Sequence, residues 1–549
     1  LLIVFGGVLA ATLPLAVAAL AIVGTFVALS VMTAFTDVSI LALNLTTALG
    51  LGLAIDYCLV LLSRYREELT GHTTVEAALA GTLQTAGRTV LFSAATVAAS
   101  LAALLVFPIP YLRSFAYAGI AVVGLSALAA VVVLPAVLAL LGVRLQSRRR
   151  AHRGSGFWGR QADRVMRHAV LYVAGGTALL VLLGLPFLGA HLGRIDDRIL
   201  PAHLSSRQTD DVIRRDFDFQ ETTPIAVVLP HTSPTETKAL TRYIGAILQL
   251  DGVHRVDWAL ASSMSVSSVK ATSYHERFRG NGATWVSIVP SLPYDSAGTK
   301  RLVEQLRALP GPNGDRPLVA GATAALTDTL DQVRARVPLA LAIVVGATFI
   351  VLFLMTGSLV MPVKALLLNA LSLTATFGAI VWVFQDGHLS GVLDFTSTGS
   401  IDTYTPILMF CVAFGLSMDY EVFLLARIKE EWDLSLDNEH AVRAGLERTG
   451  RLVTAAALLM VIAFASIGLT SGVLLAKMFG LGLALAVLVD AFVVRTLLIP
   501  AFMKLAGRLN WWAPRPLRRL HLRYGAWETA PITLTTAASD ARPSEEVIR

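Results

Sequence analysis

The chain has 549 residues, of which 55% are hydrophobic and 15% charged, and its mean hydropathy is +0.66. This composition excludes an ordinary soluble protein and indicates a polytopic membrane protein with room for many spans and one soluble domain. The net charge of +7 would suggest nucleic-acid binding in a soluble chain, but here the arginines cluster beside the ends of apolar segments. That placement is typical of a cytoplasmic membrane face, so we expect a membrane and no nucleic acid as partner.

The first apolar stretch, over about 8–34, predicts one complete membrane helix. The next predicted span, about 38–62, carries Asp56 beside Tyr57 in its interior. A carboxylate inside a bilayer is costly, so we expect it to serve a function. The chain opens at Leu1 with neither a methionine nor a charged segment, so we expect no signal peptide there.

The stretch around this acid occurs twice. Residues 52–69 read GLAIDYCLVLLSRYREEL and residues 415–432 read GLSMDYEVFLLARIKEEW, with nine identities in eighteen positions. At the same offset of 363, the dipeptide Gly-Arg at 87–88 recurs at 450–451. A pattern of this length with a second match in register indicates an internal repeat.

Eight further spans follow along the chain. A polar loop with His72, Thr73 and Thr74 is predicted to lead from the second span to Arg88. The remaining spans are predicted over about 89–107, 113–142, 168–192, 336–356, 360–384, 403–428, 449–472 and 475–505.

The segment Arg144–His168 contains eight arginines and one acidic residue. By the positive-inside rule this segment is cytoplasmic, which orients every other segment by counting crossings. A nucleic-acid-binding arm is the alternative, but a position between two spans disfavours it. The tail after Arg508 begins with two tryptophans and several arginines, as expected of a cytoplasmic interfacial anchor, and its composition from Glu528 onward predicts disorder.

The long polar region over 194–334 has sixteen basic and sixteen acidic residues, which predicts a soluble extracytoplasmic domain. Its pattern predicts, in order, a strand, a helix, two strands, a helix and a strand, which is the split βαβ arrangement. These elements are predicted at 224–229, 235–250, 253–258, 283–289, 297–309 and 318–320.

The predicted fold is a polytopic α-helical membrane protein with one extracytoplasmic α+β domain. At the offset of 363, nothing in the chain corresponds to residues 168–363, so we expect the first repeat to lack two spans and a soluble domain. The predicted domains are first-repeat helices over 1–143, the Arg-rich loop over 144–167, a membrane helix over 168–193, the extracytoplasmic domain over 194–334, second-repeat helices over 335–507 and the cytoplasmic tail over 508–549.

Counting crossings places Asp56 and Asp419 in the inner half of the membrane, on two helices that run from outside to inside. A carboxyl group desolvated there takes up a proton more readily than in water, so it can bind a proton from one side and release it to the other. Tyr57 or Tyr420 can donate a hydrogen bond to the ionised carboxylate. These four residues are candidates for a proton relay; a structural hydrogen-bonding role for each Asp is the alternative.

Two glycines are expected to help place the relay. Gly52 and Gly415 lie one turn before each Asp on the same face, where a small residue lets two helices approach closely. Two repeats packed around a pseudo-two-fold axis along the membrane normal would then bring Asp56 and Asp419 together.

The last span carries a second charged pair, Asp490 and Arg495, whose first-repeat equivalents are uncharged. The pair could relay or gate protons, and an ion pair that only positions the helix is an equally weighted alternative. Ser93 and Thr454, on the spans after the Asp-Tyr helices, are candidate hydroxyl partners of the carboxylates. Glu421 is expected to serve helix packing or a lateral polar contact.

Neither a cofactor nor an enzymatic activity is expected. The sequence has no Gly-Lys-Ser/Thr phosphate-binding pattern, so we expect a proton gradient rather than ATP as the energy source. It also has no zinc-protease or nucleophile-elbow pattern. Cys58 and Cys411 lie in predicted spans without matching ligands, so neither a disulfide framework nor a metal site is expected.

At the two Asp-Tyr motifs, and at VDAFVVRTLLIP in the last span, the chain resembles the MMPL family of the resistance-nodulation-division superfamily. The resemblance covers essentially all of residues 1–510. It implies an inner-membrane exporter of lipids or lipophilic compounds that is powered by proton influx, with twelve spans and two porter domains of split βαβ type. The sequence departs from that pattern in lacking the first two spans and the first porter domain.

The resemblance also assigns roles to individual residues. The family's relay pairs and the charged residues of its last span fall on Asp56 with Tyr420, on Asp419 with Tyr57, and on Asp490 and Arg495. The superfamily contains monomers and trimers, so the resemblance leaves a homo-oligomer and accessory proteins open.

Two other functions stay open from the sequence. A sterol-sensing or scaffold-type membrane protein would keep the fold and bind lipid without pumping. An accessory motor for protein translocation would use related repeats with different soluble domains and a partner subunit. A non-pumping relative can lose either acid, so the presence of both Asp56 and Asp419 favours the pump.

Overall fold

The computed structural model describes residues 8–71, 74–141, 156–194, 196–217, 221–264 and 267–524. Within these ranges ten helical segments are long and apolar enough to cross a membrane, the number that the hydropathy pattern predicts. The ten segments are Ala10–Met32, Ala42–Leu69, Val75–Val106, Pro110–Leu141, Ala169–Gly189, Ala322–Thr356, Val360–Gln385, Thr405–Ser435, Asn438–Thr470 and Leu474–Trp511.

Six α-helices build the four crossings of the first-repeat part. They are α1 (Val8–Met32), α2 (Ile40–Gly71), α3 (Val75–Thr82), α4 (Arg88–Ala102), α5 (Pro110–Leu128) and α6 (Leu134–Leu141). The π-helical segments Leu83–Gly87 and Ala129–Val133 join α3 to α4 and α5 to α6. Each joined pair is therefore one continuous crossing.

The polar loop predicted between the second and third spans is largely wrong. α2 continues past the polar residues at which the second span was predicted to end and reaches Gly71, and the Arg64 guanidinium lies 2.8 Å from the Glu68 carboxylate one turn later. α3 begins directly after Thr74, whose hydroxyl caps it by accepting a hydrogen bond of 3.3 Å from the Ala77 N–H. The other two residues named in that loop, at 72 and 73, lie outside the described residues.

Two helices lead from the first-repeat part to the soluble domain. They are α7 (Phe157–Arg167) and α8 (Ala169–Gly184), of which α8 is the fifth crossing. The later part of the predicted Arg-rich loop is therefore helical, and residues 142–155 lie outside the described residues. Arg164 and Arg167 occupy the last turn of α7, where cations face the negative end of the helix dipole.

The α+β domain lies between the fifth and sixth crossings. Its helices are α9 (Ser205–Asp216), α10 (Thr237–Leu248) and α11 (Ala297–Ala308). The strands of the chain are β1 (Leu192–Gly193), β2 (Ile225–Leu229), β3 (Val253–Trp258), β4 (Ala261–Ser263), β5 (Ser268–Lys270), β6 (Thr284–Pro290), β7 (Leu318–Gly321) and β8 (Ile401–Asp402).

The predicted split βαβ arrangement is confirmed. The antiparallel order β3–β6–β2–β7, with α10 and α11 as the connecting helices, buries Val227, Ile288 and Ile244 in one core. The sequence missed β4 and β5, which extend the sheet beyond β3, because each has three residues and no apolar alternation. It also missed α9, which is polar. β1 and β8 pair in parallel outside this sheet.

Eight further helices complete the chain. They are α12 (Ala322–Thr356), α13 (Val360–Ile380), α14 (Ser390–Leu393), α15 (Thr405–Ser435), α16 (Asn438–Thr470), α17 (Leu474–Val489), α18 (Ile499–Ala506) and α19 (Arg515–Tyr524). The π-helical segments Val381–Gln385 and Asp490–Leu498 extend α13 and join α17 to α18. α12 begins at the residue after β7, so the sixth crossing continues directly from the sheet.

The two helix sets pack reciprocally. α2 packs against α16, and α15 packs against α4. Gly52 of α2 faces Met460 of α16, because a Cβ on Gly52 would lie 1.9 Å from the Met460 Sδ atom. Gly415 of α15 faces Val97 of α4, where the Cγ1 atom would lie 3.1 Å from such a Cβ. Met460 and Val97 are themselves equivalent at the offset of 363, as expected of repeats around a pseudo-two-fold axis.

The start of the tail packs against the bundle. Trp511 stacks on Trp432 of α15, with ring centroids 5.0 Å apart. The Ser358 hydroxyl, in the turn between α12 and α13, donates a 2.6 Å hydrogen bond to the Asn510 carbonyl. Residues 525–549 lie outside the described residues. The tryptophan predicted to be an interfacial anchor therefore also binds the end of an Asp-Tyr helix.

Candidate functional site

Asp56 and Asp419 lie in the middle of the bundle, with exposed fractions of 2% and 0%. The two Asp-Tyr helices, α2 and α15, run parallel, because Asp56 meets Tyr420 at one level and Arg64 meets Glu430 about two turns further along. The two acids are close enough to interact electrostatically. The structure therefore brings both predicted acids into one buried cluster.

One of the two expected cross-helix pairs is made. The Tyr420 hydroxyl donates a hydrogen bond to Oδ2 of Asp56, while Oδ1 has no hydrogen-bond partner among the described residues. The reciprocal pair is open: within the described part of the chain, the Tyr57 hydroxyl and both Asp419 oxygens are buried without a partner. The pseudo-symmetric relay is thus asymmetric in this conformation.

The expected role of the glycines needs a correction. Gly52 and Gly415 do permit close helix packing, but neither lies between the two Asp-Tyr helices. Each faces the helix that follows the opposite Asp-Tyr motif, Gly52 facing α16 and Gly415 facing α4. α2 and α15 meet instead through long side chains, which leaves room between them for the carboxyl groups.

Asp490 and Arg495 form a buried ion pair that reaches the relay. They lie five residues apart within a π-helical segment, whose i to i+5 repeat places such residues on one face. Arg495 also donates a 3.1 Å hydrogen bond to the Ser417 carbonyl of α15. Its guanidinium carbon lies 4.6 Å from the centroid of the Tyr420 ring. The last span is therefore connected to the tyrosine that bonds Asp56.

The two candidate hydroxyl partners do not bond the carboxylates. The Thr454 hydroxyl donates to the Gly450 carbonyl of its own helix at 2.7 Å, which makes it helix-bound and corrects that expectation. Ser93 is fully buried, and its hydroxyl lies beside the Tyr57 hydroxyl rather than beside either carboxylate.

Lys364 and Glu421 join the same cluster and were not assigned to it from the sequence. Lys364 lies one turn into α13, is 9% exposed and interacts electrostatically with Glu421 of α15. Glu421 in turn faces Asp490 and Arg495, so it points into the cluster rather than sideways. The sequence gives only a weak signal for this pair, because a lysine near the start of an apolar span can extend to the membrane surface.

The buried cluster holds more acids than bases. Four carboxyl groups share it with two cations, and all six side chains are buried: Asp56, Asp419, Glu421, Asp490, Lys364 and Arg495. An uncompensated charge in a low-dielectric interior is costly, so full ionisation of all four acids is disfavoured. The arrangement is suited to holding exchangeable protons.

A narrow cleft leads to one of the two acids. Asp56 and Tyr420 line its inner part, and Glu67 and Arg427 line it near the far ends of α2 and α15. Asp419 is not among the described residues that line it. The cleft offers the room and the polar groups that water requires. By the predicted topology it faces the cytoplasm.

A second, small cavity lies between the α+β domain and the bundle. Arg194, Asp196 and Asp402 line its charged side, and Phe384 and Leu474 contribute to its apolar side. Burial raises the pKa of the Asp402 carboxyl, opposed by the hydrogen bonds that this carboxyl accepts at the start of α15. The cavity therefore combines a polar and an apolar surface.

Comparison of the sequence with known proteins finds one matching family and several similar membrane proteins. The model of the MMPL family matches residues 1–172 and 293–532. A putative membrane protein of Streptomyces coelicolor is 41% identical over 97% of this chain and 72% of that protein. The trehalose monomycolate exporter MmpL3 of Mycobacterium tuberculosis is 34% identical over 99% of this chain, which spans 60% of the exporter. The mycolic acid-containing lipids exporter MmpL11 of Mycolicibacterium smegmatis is 32% identical over 95% of this chain and 54% of that protein.

Solved structures of a translocon-associated membrane protein have a similar fold. SecDF from Thermus thermophilus superposes with a TM-score of 0.53 over 89% of this chain and 58% of that protein, at 15% sequence identity. At this identity the likeness concerns the fold alone. It supports the arrangement of repeated membrane helices with an α+β domain that the sequence predicts.

Proposed function

The chain belongs to the MMPL family, and we propose that it is a secondary active transporter that exports lipids or lipophilic compounds across the inner membrane in exchange for protons. It is a multi-pass membrane protein with ten candidate spans among its described residues. Separate observations support the cargo and the energy source.

A lipid cargo is supported by the relatives. MmpL3 and MmpL11, at 34% and 32% identity, are exporters of trehalose monomycolate and of mycolic acid-containing lipids. We therefore take the class of cargo from these two relatives.

The buried charge imbalance is the observation that carries the proton-coupled proposal. Four acids and two bases in one buried cluster are stable together when some of the acids hold protons. Asp419 has no described hydrogen-bond donor on either oxygen, and an ionised carboxylate without a donor is strongly disfavoured there. Asp56 has a donor in Tyr420 and lines the cleft.

The two acids therefore suit different steps of a proton path. Asp419, which does not line the cleft, holds the proton that arrives from the outer side. Asp56 receives it and releases it through the cleft, and the Tyr420 hydroxyl stabilises the carboxylate that remains. Arg495, which touches the Tyr420 ring and pairs with Asp490, keeps that hydroxyl in place. The released proton reaches the cytoplasm by the predicted topology.

Export of a fluorescent lipid from vesicles tests this function. The purified protein is reconstituted, a pH gradient is imposed, and Asp56→Asn and Asp419→Asn are compared with the unchanged protein. We expect each substitution to abolish gradient-driven export, because asparagine cannot bind and release a proton. Asp433→Asn, on the exposed end of the same α15, is the matched control and should export at the unchanged rate.

The result that contradicts the proposal is equally clear. If both relay variants export lipid at the rate of the control, the two carboxyl groups are structural. The pH gradient would then not drive export through protonation of Asp56 or Asp419. Lipid binding without gradient-driven export by any variant would instead support the non-pumping, lipid-binding alternative.

A further inference from the structure

Four charged side chains form a closed ring between α2 and α15, at the ends that we predict to be cytoplasmic. Arg64 lies 3.4 Å from Glu430 and Arg427 lies 3.1 Å from Glu67, so each arginine reaches the opposite helix. Within each helix, Arg64 lies 3.5 Å from Glu67 and Arg427 lies 2.7 Å from Glu430. The charges alternate around these four contacts, which we call the cytoplasmic ring.

The cytoplasmic ring is a product of the internal repeat. At the offset of 363, Arg64 corresponds to Arg427 and Glu67 corresponds to Glu430, so the two crossing pairs are equivalent. Three of the four side chains are largely withdrawn from solvent, and Glu67 is half exposed. A charge withdrawn from water needs its partner, so the ring favours the closed arrangement seen here.

The ring lies at the mouth of the cleft that reaches the relay. Glu67 and Arg427 line the cleft whose inner part is lined by Asp56 and Tyr420. The ring arginines follow the relay acids by eight residues, which is about 12 Å along a helix. A proton that leaves Asp56 through this cleft passes the ring.

The same two helices carry both the relay hydrogen bond and the ring. α2 packs on α16, and α15 packs on α4. The polar contacts that join α2 directly to α15 include the Tyr420–Asp56 hydrogen bond and the two crossing ion pairs. A change in spacing between the helices at Asp56 is therefore transmitted to the ring. Because both are rigid helices, little of that movement is lost on the way.

We propose that the cytoplasmic ring is the inner gate of the proton path. The ring is closed while Asp56 is ionised and bonded to Tyr420. Protonation of Asp56 removes the need for that bond, the helices separate at this end, and the opened ring lets the proton leave. Arg64, Glu67 and their equivalents control access without carrying the proton. This inference rests on the proposed function, because it assigns a direction to the same path.

Chemical linking across the ring tests the gate. Glu67→Cys and Arg427→Cys are combined in a background in which Cys58 and Cys411 are replaced by alanine, and the other crossing pair stays in place. A short bis-maleimide joins the two thiols, whereas N-ethylmaleimide modifies the same thiols without joining them. Proton uptake into proteoliposomes carrying an internal pH dye is measured for both preparations.

The gate predicts different outcomes for the two reagents. The protein treated with N-ethylmaleimide carries the same two substitutions and sets the reference level of uptake, whatever that level is, and we expect the linked protein to fall below it to the level of Asp56→Asn. A ring that only stabilises the fold would tolerate the link, because the link reinforces an existing contact. Equal uptake by the linked and unlinked proteins would overturn the gate and leave the proposed function intact.

The rate of linking decides the question if no preparation takes up protons. That outcome would count against the proposed function, and the gate would then stand or fall on a second comparison. Asp56→Asn mimics the protonated acid, so the gate predicts a wider ring and slower linking when this substitution is added to the double-cysteine protein. Equal linking rates with Asp and Asn at this position would overturn the gate.

Discussion

Tyr420 and Tyr57 occupy equivalent positions in the two repeats, but their hydroxyl groups have different surroundings. The Tyr420 hydroxyl donates to Asp56, whereas the buried Tyr57 hydroxyl has no hydrogen-bond partner in the described part of the chain. Removing the donor of a buried carboxylate leaves that group unsatisfied, while removing an unused hydroxyl does not. The two tyrosines are therefore a matched pair for measuring what the relay hydrogen bond contributes.

We predict that Tyr420→Phe lowers the free energy of unfolding by about 1–3 kcal/mol and slows gradient-driven export, because Asp56 loses its donor. Tyr57→Phe should change the free energy of unfolding by less than about 1 kcal/mol. Thermal unfolding of the purified protein in detergent compares the two at one pH. Equal losses of stability would show that the hydrogen bond from Tyr420 to Asp56 contributes nothing to the free energy of unfolding beyond what Tyr57 contributes.

Three of the four acids of the cluster could be predicted from sequence, whereas Glu421 and Lys364 could not. Asp56 and Asp419 can be recognised because each lies in a copy of the duplicated motif within a long apolar stretch. Lys364 lies near the start of its span, where a lysine can extend to the membrane surface, so only the packing of α13 against α15 shows that it is buried beside Glu421. The missing hydrogen bond between Tyr57 and Asp419 could not be predicted from the sequence either, because both Asp-Tyr pairs have the same sequence.

At the scale of elements, α8 and α13 cross in direct backbone contact at Gly378. A Cβ on Gly378 would lie 2.0 Å from the Leu183 carbonyl oxygen and 2.7 Å from the Gly184 Cα atom. Both atoms belong to the backbone, so no side-chain rotation can relieve the contact. Any larger residue here must push the two helices apart.

We predict that Gly378→Ala destabilises the protein by about 1–3 kcal/mol, because separating α8 from α13 disrupts well-packed surfaces. Gly346→Ala in α12 is the matched control, since a Cβ there meets nothing within 4 Å. That control should be neutral or stabilise the helix by up to about 1 kcal/mol. Thermal unfolding measures both, and a neutral Gly378→Ala would contradict the close crossing.

An ion pair in the α+β domain gives that domain its own pH dependence. Arg255 of β3 donates two hydrogen bonds of 2.7 Å to Glu221 and one of 3.0 Å to Asp257. The hydrogen bonds from Arg255 hold the pKa of the Glu221 carboxyl below its ordinary value of 4.5. Since the folded-state pKa is lowered, the stabilisation is present above the ordinary value and is lost as the pH falls through the folded-state value.

We therefore predict that acidification below about pH 4.5 weakens the α+β domain, and that Glu221→Gln removes this part of the pH dependence. Tryptophan fluorescence reports the domain once the other six tryptophans of the chain are replaced by phenylalanine, because Trp258 and Trp285 both lie in its sheet. Glu304→Gln, at an exposed position of α11, is the control and should keep the pH dependence. An unchanged profile for Glu221→Gln would contradict the assignment.

Helix and strand positions were predictable where hydropathy or alternation was strong, and local hydrogen bonding explains the failures. The stretch before Arg88 was predicted to be a loop, but it is helical from Val75 and begins at the cap that the Thr74 hydroxyl provides. The π-helical segment Asp490–Leu498 has no signature in composition, although it places Asp490 and Arg495 on one face. In the first repeat, Ala129–Val133 is π-helical at the equivalent place without the charges.

At the scale of the whole molecule, two structural connections join the α+β domain to the helix bundle. α12 continues from β7 into the membrane without a break, so the α+β domain and the bundle share one long helix. α15 begins just after β8, which pairs with β1 on the other side of the domain. Two structural connections therefore reach from the domain to the helices around the relay.

The pseudo-two-fold relation of the whole molecule followed from the duplicated motif, but the exchange of partners did not. Gly52 and Gly415 were expected to let two helices approach closely, and each faces the helix that follows the Asp-Tyr helix of the opposite repeat. A sequence repeat shows that two units are alike, whereas the choice of contacting faces depends on the volume of Met460 and Val97. The cytoplasmic ring follows from that choice, because it spans the space left between α2 and α15.

Cargo-dependent proton uptake tests the central claim most directly. The protein is reconstituted into vesicles with an internal pH dye, a pH gradient is imposed, and uptake is recorded with and without a lipid substrate, for the unchanged protein and for Asp56→Asn. We predict that lipid accelerates proton uptake by the unchanged protein and has no effect on Asp56→Asn. Uptake that ignores the lipid, or that persists in Asp56→Asn, would contradict a proton-coupled exporter built on this relay.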